Sequence, residues 1–165
     1  MNTISIISAT NDKNLELSKD LQSILSEFNI NTNLISLEDF DFPLYSPRVK
    51  VENKSIDALL KQLTSSKGLI FCSPEYNGGV PPVLSNALAW ISVKSDNWRD
   101  VFNKKFAIIG SYSGGSGTRF VTAFRSQLEH CGVNVLARSI TVNNQKPLDK
   151  ESAKKIIQGL VDIVI

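Results

Sequence analysis

A segment rich in proline, glycine and asparagine, Ser73-Pro74-Glu75-Tyr76-Asn77-Gly78-Gly79, lies between an apolar run and a helical pattern. Such a segment can keep backbone N–H and C=O groups out of secondary structure, where they can hydrogen-bond the edge of a flat heterocycle. Tyr76 adds an aromatic face. The same composition is also typical of an ordinary turn between a strand and a helix, and composition alone leaves both interpretations open.

A second glycine-rich segment, residues 111–119, contains Gly114, Gly115 and Gly117. Glycines let the backbone approach a ligand closely. The segment also precedes a helical pattern, and the first amides of a helix carry partial positive charge. It matches neither G-x-G-x-x-G nor the phosphate loop G-x-x-x-x-G-K-[ST], since no lysine follows the glycines. A flexible loop without a ligand is the alternative.

A third segment, residues 8–14, precedes the first helical pattern, which is a natural position for a phosphate. Thr10 and Asn11 can donate hydrogen bonds to such a group, and Lys13 is cationic. Asp12 would oppose an anion. We expect Asp12 to cap the helix instead, because aspartate is a preferred N-cap residue.

The elements that must position these segments alternate along the chain, because apolar β-branched runs and helical spacings of apolar residues follow one another five times. The polar stretch 94–103 is expected to form a loop. Predicted strands cover residues 4–7, 32–36, 68–72, 106–110 and 133–136, and apolar helical stripes cover residues 17–28, 56–63, 80–91, 120–131 and 153–164.

Strands that are apolar on both faces need helices on both sides. We therefore expect residues 1–165 to form a single α/β domain of three layers, with a five-stranded parallel sheet and right-handed crossovers. Five strands fit the flavodoxin-like order 2-1-3-4-5, in which ligands bind outside the carboxyl ends of the strands near strands 1 and 3. The segments that follow strands 1, 3 and 4 would then meet at one edge.

Composition excludes several classes of protein. The 165 residues are 42% hydrophobic and 21% charged, which fits one globular domain and excludes a coiled coil or a disordered tail. A net charge of +2 is too small to predict nucleic-acid binding. Two cysteines and a single histidine make neither a disulfide framework nor a zinc site, so no metal is predicted. Without a signal-peptide pattern or a long apolar window, we expect a cytoplasmic protein that is not inserted in a membrane.

The three segments together resemble the NADPH-dependent FMN reductases, a flavodoxin-like family that includes quinone, azo-compound and chromate reductases. The resemblance spans about residues 3–140 and is most specific over residues 73–92, which are similar to T-P-E-Y-N-x-x-x-P-x-x-L-K-N-A-[ILM]-[DE]-W-[LIV]-S. Residues 111–119 are similar to the family's S-x-x-G-x-x-G-x-R loop, and residues 37–45 to its D-L-x-D-x-x-L-P-x-Y stretch.

The resemblance implies an oxidoreductase that passes electrons from NADPH, or NADH, through FMN to a small acceptor such as a quinone. The flavin supplies the chemistry, so no catalytic side chain is predicted. Arg119 or Arg48 could meet the 2′-phosphate of NADPH, although an ordinary surface arginine is the more common explanation for each. The residues implied to bind the cofactor are Thr10, Asn11 and Lys13 at the phosphate, Pro74, Glu75, Tyr76, Asn77 and Gly78 at the isoalloxazine ring, and Ser111, Gly114 and Gly115 along its other side.

The resemblance also implies a homodimer or homotetramer. The helix that carries Asn86 and Trp90 would lie near a subunit contact. Trp90 is equally interpretable as a residue of the chain's own core, because it falls in an apolar helical pattern.

The first segment departs from the family pattern G-[ST]-x-R-x-x-S. Ala9 stands at the glycine, Asp12 at the arginine and Leu15 at the serine, and a shift by one residue places Asn11 at the arginine. A charge-assisted contact between arginine and phosphate contributes about 1.5–3 kcal/mol, so we expect FMN to bind more weakly than is usual.

Two alternatives to a reductase follow. The departure in the first segment motivates a flavodoxin-like protein that has weakened or lost flavin binding and acts as a binding or assembly module. The other alternative is an electron carrier of the flavodoxin type. It is disfavoured, because such carriers are strongly acidic and contain a T-x-T-G-x-T loop that this sequence lacks.

Overall fold

Parallel strands alternate with helices along the chain, as the apolar patterns predict. The computed structural model describes residues 3–49, 54–94 and 96–164. Its strands are β1 (Thr3–Ser8), β2 (Asn31–Ser36), β3 (Gly68–Cys72), β4 (Phe106–Tyr112), β5 (Asn134–Val135) and β6 (Ile140–Val142), and its α-helices are α1 (Lys13–Ser26), α2 (Lys54–Ser65), α3 (Pro82–Lys94), α4 (Thr118–His130) and α5 (Lys150–Val164).

All strand pairs are parallel, and the strand order is β2-β1-β3-β4-β5, with β6 also paired to β4. The predicted flavodoxin-like order is therefore confirmed. Strand side chains alternate between two cores, one beneath α1 and α5 and the other beneath α2, α3 and α4. The first core takes Ile4, Ile6, Ile70, Cys72 and Ile108 from the sheet, and the second takes Ile7, Leu69, Phe71, Ala107 and Ile109.

The fifth strand position is divided, which corrects the single strand expected over residues 133–136. β5 pairs with the beginning of β4, and β6 pairs with its end at Gly110–Tyr112. Between the two strands the Arg125 guanidinium donates hydrogen bonds to Val135 O at 3.1 Å and to Leu136 O at 2.8 Å. β6 is only three residues long, which is too short for its hydrophobic periodicity to be recognised in the sequence.

The expectation of a loop over residues 94–103 was wrong in part. α3 extends to Lys94, and a 3₁₀ helix follows at Trp98–Val101. Val101 and Phe102 are each only 1% exposed and belong to the core beneath α2, α3 and α4. Burial of these two apolar side chains, with Trp98 packed against the same core, therefore orders a stretch that is otherwise polar.

α3 holds the loop after β2 through two side chains. Asn86 Nδ2 and Trp90 Nε1 both donate to Pro43 O, at 3.0 and 2.6 Å, and Asn86 Oδ1 accepts from Tyr45 N at 2.7 Å. The Tyr45 and Trp90 rings pack edge to face, with their centroids 5.2 Å apart. Trp90 is 5% exposed, so within this chain it is a core residue.

Asn86→Ala is expected to destabilise the protein by about 1–3 kcal/mol, because it leaves the Tyr45 amide without its partner and removes one of two donors to Pro43 O. Urea denaturation followed by circular dichroism measures the loss. Asn97 is a matched control, since it is exposed and its side chain makes no capping hydrogen bond. Asn97→Ala should change stability by less than about 0.5 kcal/mol. Equal effects of the two substitutions would contradict the proposed role of Asn86.

Candidate functional site

The three segments singled out in the sequence lie side by side at the carboxyl edge of the sheet. Pairing continues one residue past the strands, because Ala9 N donates to Cys72 O at 2.8 Å and Ser73 N donates to Gly110 O at 3.1 Å. We call the segments that follow β1, β3 and β4 loop 1 (residues 9–12), loop 3 (residues 73–81) and loop 4 (residues 113–117). Their common origin at one edge confirms the expected meeting of these loops.

Loop 3 contains a tight turn at Tyr76-Asn77-Gly78-Gly79. Tyr76 N donates to Gly79 O at 3.3 Å, and Gly79 N donates to Tyr76 O at 3.0 Å. Asn77 has φ of 51° and Gly78 has φ of 72°, which is the left-handed pair that a type I′ turn requires and that an Asn-Gly sequence favours. Among the described residues nothing accepts a hydrogen bond from the Asn77 or Gly78 amide. Tyr76 is 47% exposed, so its aromatic ring and the free amides of the turn are both accessible.

Glu75 connects loop 3 to loop 4. Its backbone N–H donates to Ser113 Oγ at 2.9 Å, and its Oε2 accepts from Phe120 N in the first turn of α4 at 3.0 Å. Ser113 Oγ in turn lies 2.8 Å from Ser111 Oγ. The Glu75 carboxylate therefore accepts one of the unpaired amides in the first turn of α4. Together with the backbone contact to Ser113, it fixes the spacing of loops 3 and 4.

Loop 4 uses its glycines in two different ways. A Cβ atom built on Gly114 or on Gly115 would have no neighbour within 4 Å. Gly117 has φ of 68°, and a Cβ atom there would lie 2.9 Å from Ser111 Oγ. The Gly114 and Gly115 amides donate to no other group in the described part of the chain. Gly117 thus shapes the backbone, whereas Gly114 and Gly115 border open space.

Gly117→Ala is expected to cost about 1–3 kcal/mol of unfolding free energy, since alanine is strained at that φ and its methyl group would press on Ser111. Gly115→Ala is the control in the same loop and should stay within about 0.5 kcal/mol of the parent. Thermal and urea unfolding of both variants measure the difference. A Gly117→Ala protein as stable as the parent would contradict this description of loop 4.

Loop 1 is closed by Asp12, which caps α1 as predicted. Asp12 Oδ1 accepts from Asn14 N at 3.1 Å and from Thr10 Oγ1 at 2.6 Å. Partial burial acts to raise the pKa of Asp12, but the hydrogen bonds from Thr10 and Asn14 outweigh it and hold the pKa below its ordinary value. A carboxylate of the chain itself thus occupies the start of α1.

The other predicted donors of loop 1 are also engaged with carboxylates. Asn11 N donates to Glu38 Oε2 at 2.5 Å, and Asn11 Nδ2 donates to Asp39 Oδ1 at 2.8 Å. Lys13 Nζ pairs with Glu16 at 2.8 Å. The side-chain donors of Thr10, Asn11 and Lys13 are therefore all paired, whereas the backbone N–H groups of Thr10 and Lys13 donate to no group in the described part of the chain.

Sequence reasoning missed Glu38 and Asp39 as neighbours of loop 1. β1 and β2 are paired in register up to Ser8 opposite Ser36, so the residues that follow β2 reach the residues that follow β1. Ser36 Oγ donates to Asn11 Oδ1 across this pair. The predicted strand order could have indicated this contact, because the loops that follow adjacent parallel strands begin at the same edge of the sheet.

The two ends of a flavin mononucleotide therefore fit this edge differently. Loops 3 and 4 offer free amides, open space beside Gly114 and Gly115, and the Tyr76 ring, which suit a planar ring. Four carboxylates lie in or beside loop 1, namely Asp12, Glu16, Glu38 and Asp39, and the nearby Lys13 side chain is already paired with Glu16. The ring position fits the group, whereas the side chains at the phosphate position do not favour an anion.

A sequence model of the family described as NADPH-dependent FMN reductase matches residues 2–147, which include all three loops. The chain belongs to the NADPH-dependent FMN reductase family. FMN is the cofactor of this family, and NAD(P)H is its electron donor.

Two curated relatives of this FMN reductase family member are named as reductases. A quinone reductase of Escherichia coli K12 is 38% identical over 55 residues, which are 32% of this chain and 29% of the relative. An NAD(P)H-dependent FMN reductase of Schizosaccharomyces pombe is 32% identical over 101 residues, which are 61% of this chain and 44% of the relative. The chain thus covers less than half the length of either protein.

Solved structures share the fold. A flavoenzyme NAD(P)H:(acceptor) oxidoreductase from Paracoccus denitrificans superposes with a TM-score of 0.77 at 20% identity, covering 99% of this chain and 95% of that one. A flavodoxin from the domain Archaea gives a TM-score of 0.70 at 13% identity, covering 98% of both chains. Likeness at such low identity shows the flavodoxin-like fold alone.

Other candidate sites add little to the chemistry of this family member. Cys72 and Cys131 are free and buried, and burial raises the pKa of the Cys72 thiol to about 12, so it is a core residue as expected. Among the described residues no three histidine, cysteine or acidic side chains gather as a metal site would require. None of the described helices has the length and apolar character needed to cross a membrane.

Proposed function

We propose that this chain is an NAD(P)H-dependent flavin reductase whose loops 3 and 4 hold the isoalloxazine ring of FMN. The observation that carries the proposal is the set of free amides at Asn77, Gly78, Gly114 and Gly115, on loops that Glu75 and Ser113 hold at a fixed spacing. A bound FMN supplies hydride and electron transfer, so the chain's own task is to position the ring. Family membership supports the same assignment.

The electron donor would approach beside loop 3, where Arg119 provides a cationic side chain. A methyl group on Gly78 would lie 3.2 Å from Arg119 Cδ, so the exposed Arg119 side chain lies over the turn. Guanidinium groups suit phosphate recognition. We propose that Arg119 contacts the 2′-phosphate of NADPH and that the acceptor is a small oxidant such as a quinone.

A homodimer or homotetramer remains a prediction from the family resemblance. The side chains of Asn86 and Trp90 are used within the chain, where they hold the loop after β2. A subunit contact along α3 would therefore rest on other side chains of that helix. Sedimentation equilibrium measures the oligomeric state.

Turnover of NADPH with added FMN and a quinone or ferricyanide acceptor tests the proposed activity, and flavin fluorescence titration tests binding separately.

Gly114→Val should weaken FMN binding at least about tenfold, because its side chain fills the space that the ring would occupy. Its unfolding free energy should change little, since nothing lies within 4 Å of the added Cβ. Gly159→Ala, in α5, is the remote glycine control. FMN affinity unaffected by Gly114→Val would show that the ring site is misplaced.

Arg119→Ala should raise the KM for NADPH roughly three- to tenfold and leave the KM for NADH within about twofold, since only NADPH carries the phosphate. Arg138→Ala removes an arginine at the β5–β6 edge and should affect neither donor. Steady-state kinetics with both donors measure the ratio. Equal effects of Arg119→Ala on NADPH and NADH would contradict the assignment of Arg119.

A flavin-free binding module is the second candidate, and the carboxylates of loop 1 are the observation that favours it. This candidate predicts no flavin binding at 100-fold excess over protein and no NADPH oxidation. A flavodoxin-type electron carrier predicts flavin binding without turnover. The same titration and turnover assays therefore separate all three functions.

A further inference from the structure

Loop 1 places negative charge where this fold offers a binding position for an anion. Asp12 Oδ1 accepts a hydrogen bond from the α1 amide of Asn14 and another from the Thr10 hydroxyl, at 3.1 and 2.6 Å. A phosphate at the start of α1 would compete with this carboxylate for the Asn14 amide and the Thr10 hydroxyl. The free backbone amides of Thr10, Asp12 and Lys13 could still reach it, but only beside the Asp12 charge.

Neighbouring side chains reinforce this preference. Glu38 and Asp39 take the backbone and side-chain N–H groups of Asn11, at 2.5 and 2.8 Å. Lys13 pairs with Glu16 at 2.8 Å. A phosphate that entered loop 1 would therefore lose hydrogen bonds to these donors and gain repulsion from their carboxylate partners.

We propose that loop 1 and its acidic neighbours deny the flavin site any gain from the 5′-phosphate, so that the protein takes unphosphorylated riboflavin at least as readily as FMN. The inference rests on the proposed function, because it concerns the ligand of the same site. Affinity would come from contacts of loops 3 and 4 with the isoalloxazine ring, which the two flavins share. Asp12, Glu38 and Asp39 act as specificity determinants through the loop 1 donors that they occupy.

Fluorescence-quenching titrations with riboflavin and with FMN test the proposal. At 0.1 M salt the Kd for riboflavin should be equal to or lower than the Kd for FMN, whereas a charge-assisted phosphate site would favour FMN by tenfold or more. Salt dependence provides an independent readout. Raising the ionic strength from 0.02 to 0.2 M should strengthen FMN binding relative to riboflavin, because salt screens the repulsion between phosphate and carboxylates.

Asp12→Asn removes one charge and keeps a good N-cap residue. It should tighten FMN binding by roughly fivefold and leave riboflavin binding within about twofold. Asp20→Asn is the matched control, since Asp20 is an exposed residue of α1 outside loop 1 and its substitution changes the net charge equally. The control should alter neither Kd.

The outcomes separate this inference from the proposed function. An affinity for riboflavin at least equal to that for FMN, with a selective gain of FMN affinity in Asp12→Asn, supports it. Binding of both flavins with a preference for FMN of about threefold or more in the parent protein overturns the inference and leaves the ring site standing. No binding of either flavin overturns the proposed function, and the inference with it.

Discussion

Parallel pairing of β1, β3 and β4 is the interaction on which the candidate site depends. The hydrogen bonds from Ala9 N to Cys72 O and from Ser73 N to Gly110 O carry the ladder one residue beyond the strands. Three loops thereby start from fixed points at one edge. The contacts of Glu75 with Ser113 and with the first turn of α4 then hold two of the loops at a constant spacing. The site is thus built mainly from backbone, and side chains serve to position it.

Much of the fold was predictable because burial on both faces leaves a strong local signal. Runs such as Gly68–Cys72 are short and apolar throughout, which favours a strand inside a covered parallel sheet. Asp12 was predictable as a cap because the preference for aspartate at that position is local too. The divided fifth strand was not predictable, since it depends on Arg125 of α4 meeting the carbonyls of residues 135 and 136. Residues 98–101 were missed because the burial of Val101 and Phe102 is decided by tertiary packing.

The candidate site was predictable in its loops and less so in its contacts. Asn77 followed by Gly78 favours a left-handed turn, and the structure contains one. The pairing of Asn11 with Glu38 spans 27 residues, so no local pattern contains it. The contact between Asn11 and Glu38 can be predicted only after the order of the strands in the sheet is known. Asp12, one of the three departures from the family pattern, thus belongs to an acidic neighbourhood that includes Glu38 and Asp39 after β2.

The break between β5 and β6 has a consequence for how copies of this protein can associate. β5 has two residues and β6 has three, and Arg125 already donates to successive carbonyls where the chain leaves the sheet. A continuous row of unsatisfied amides and carbonyls, which strand-to-strand fusion of two molecules requires, is therefore missing at this border. The break between β5 and β6 therefore prevents a second molecule from extending the sheet at this edge, without a proline or a covering helix.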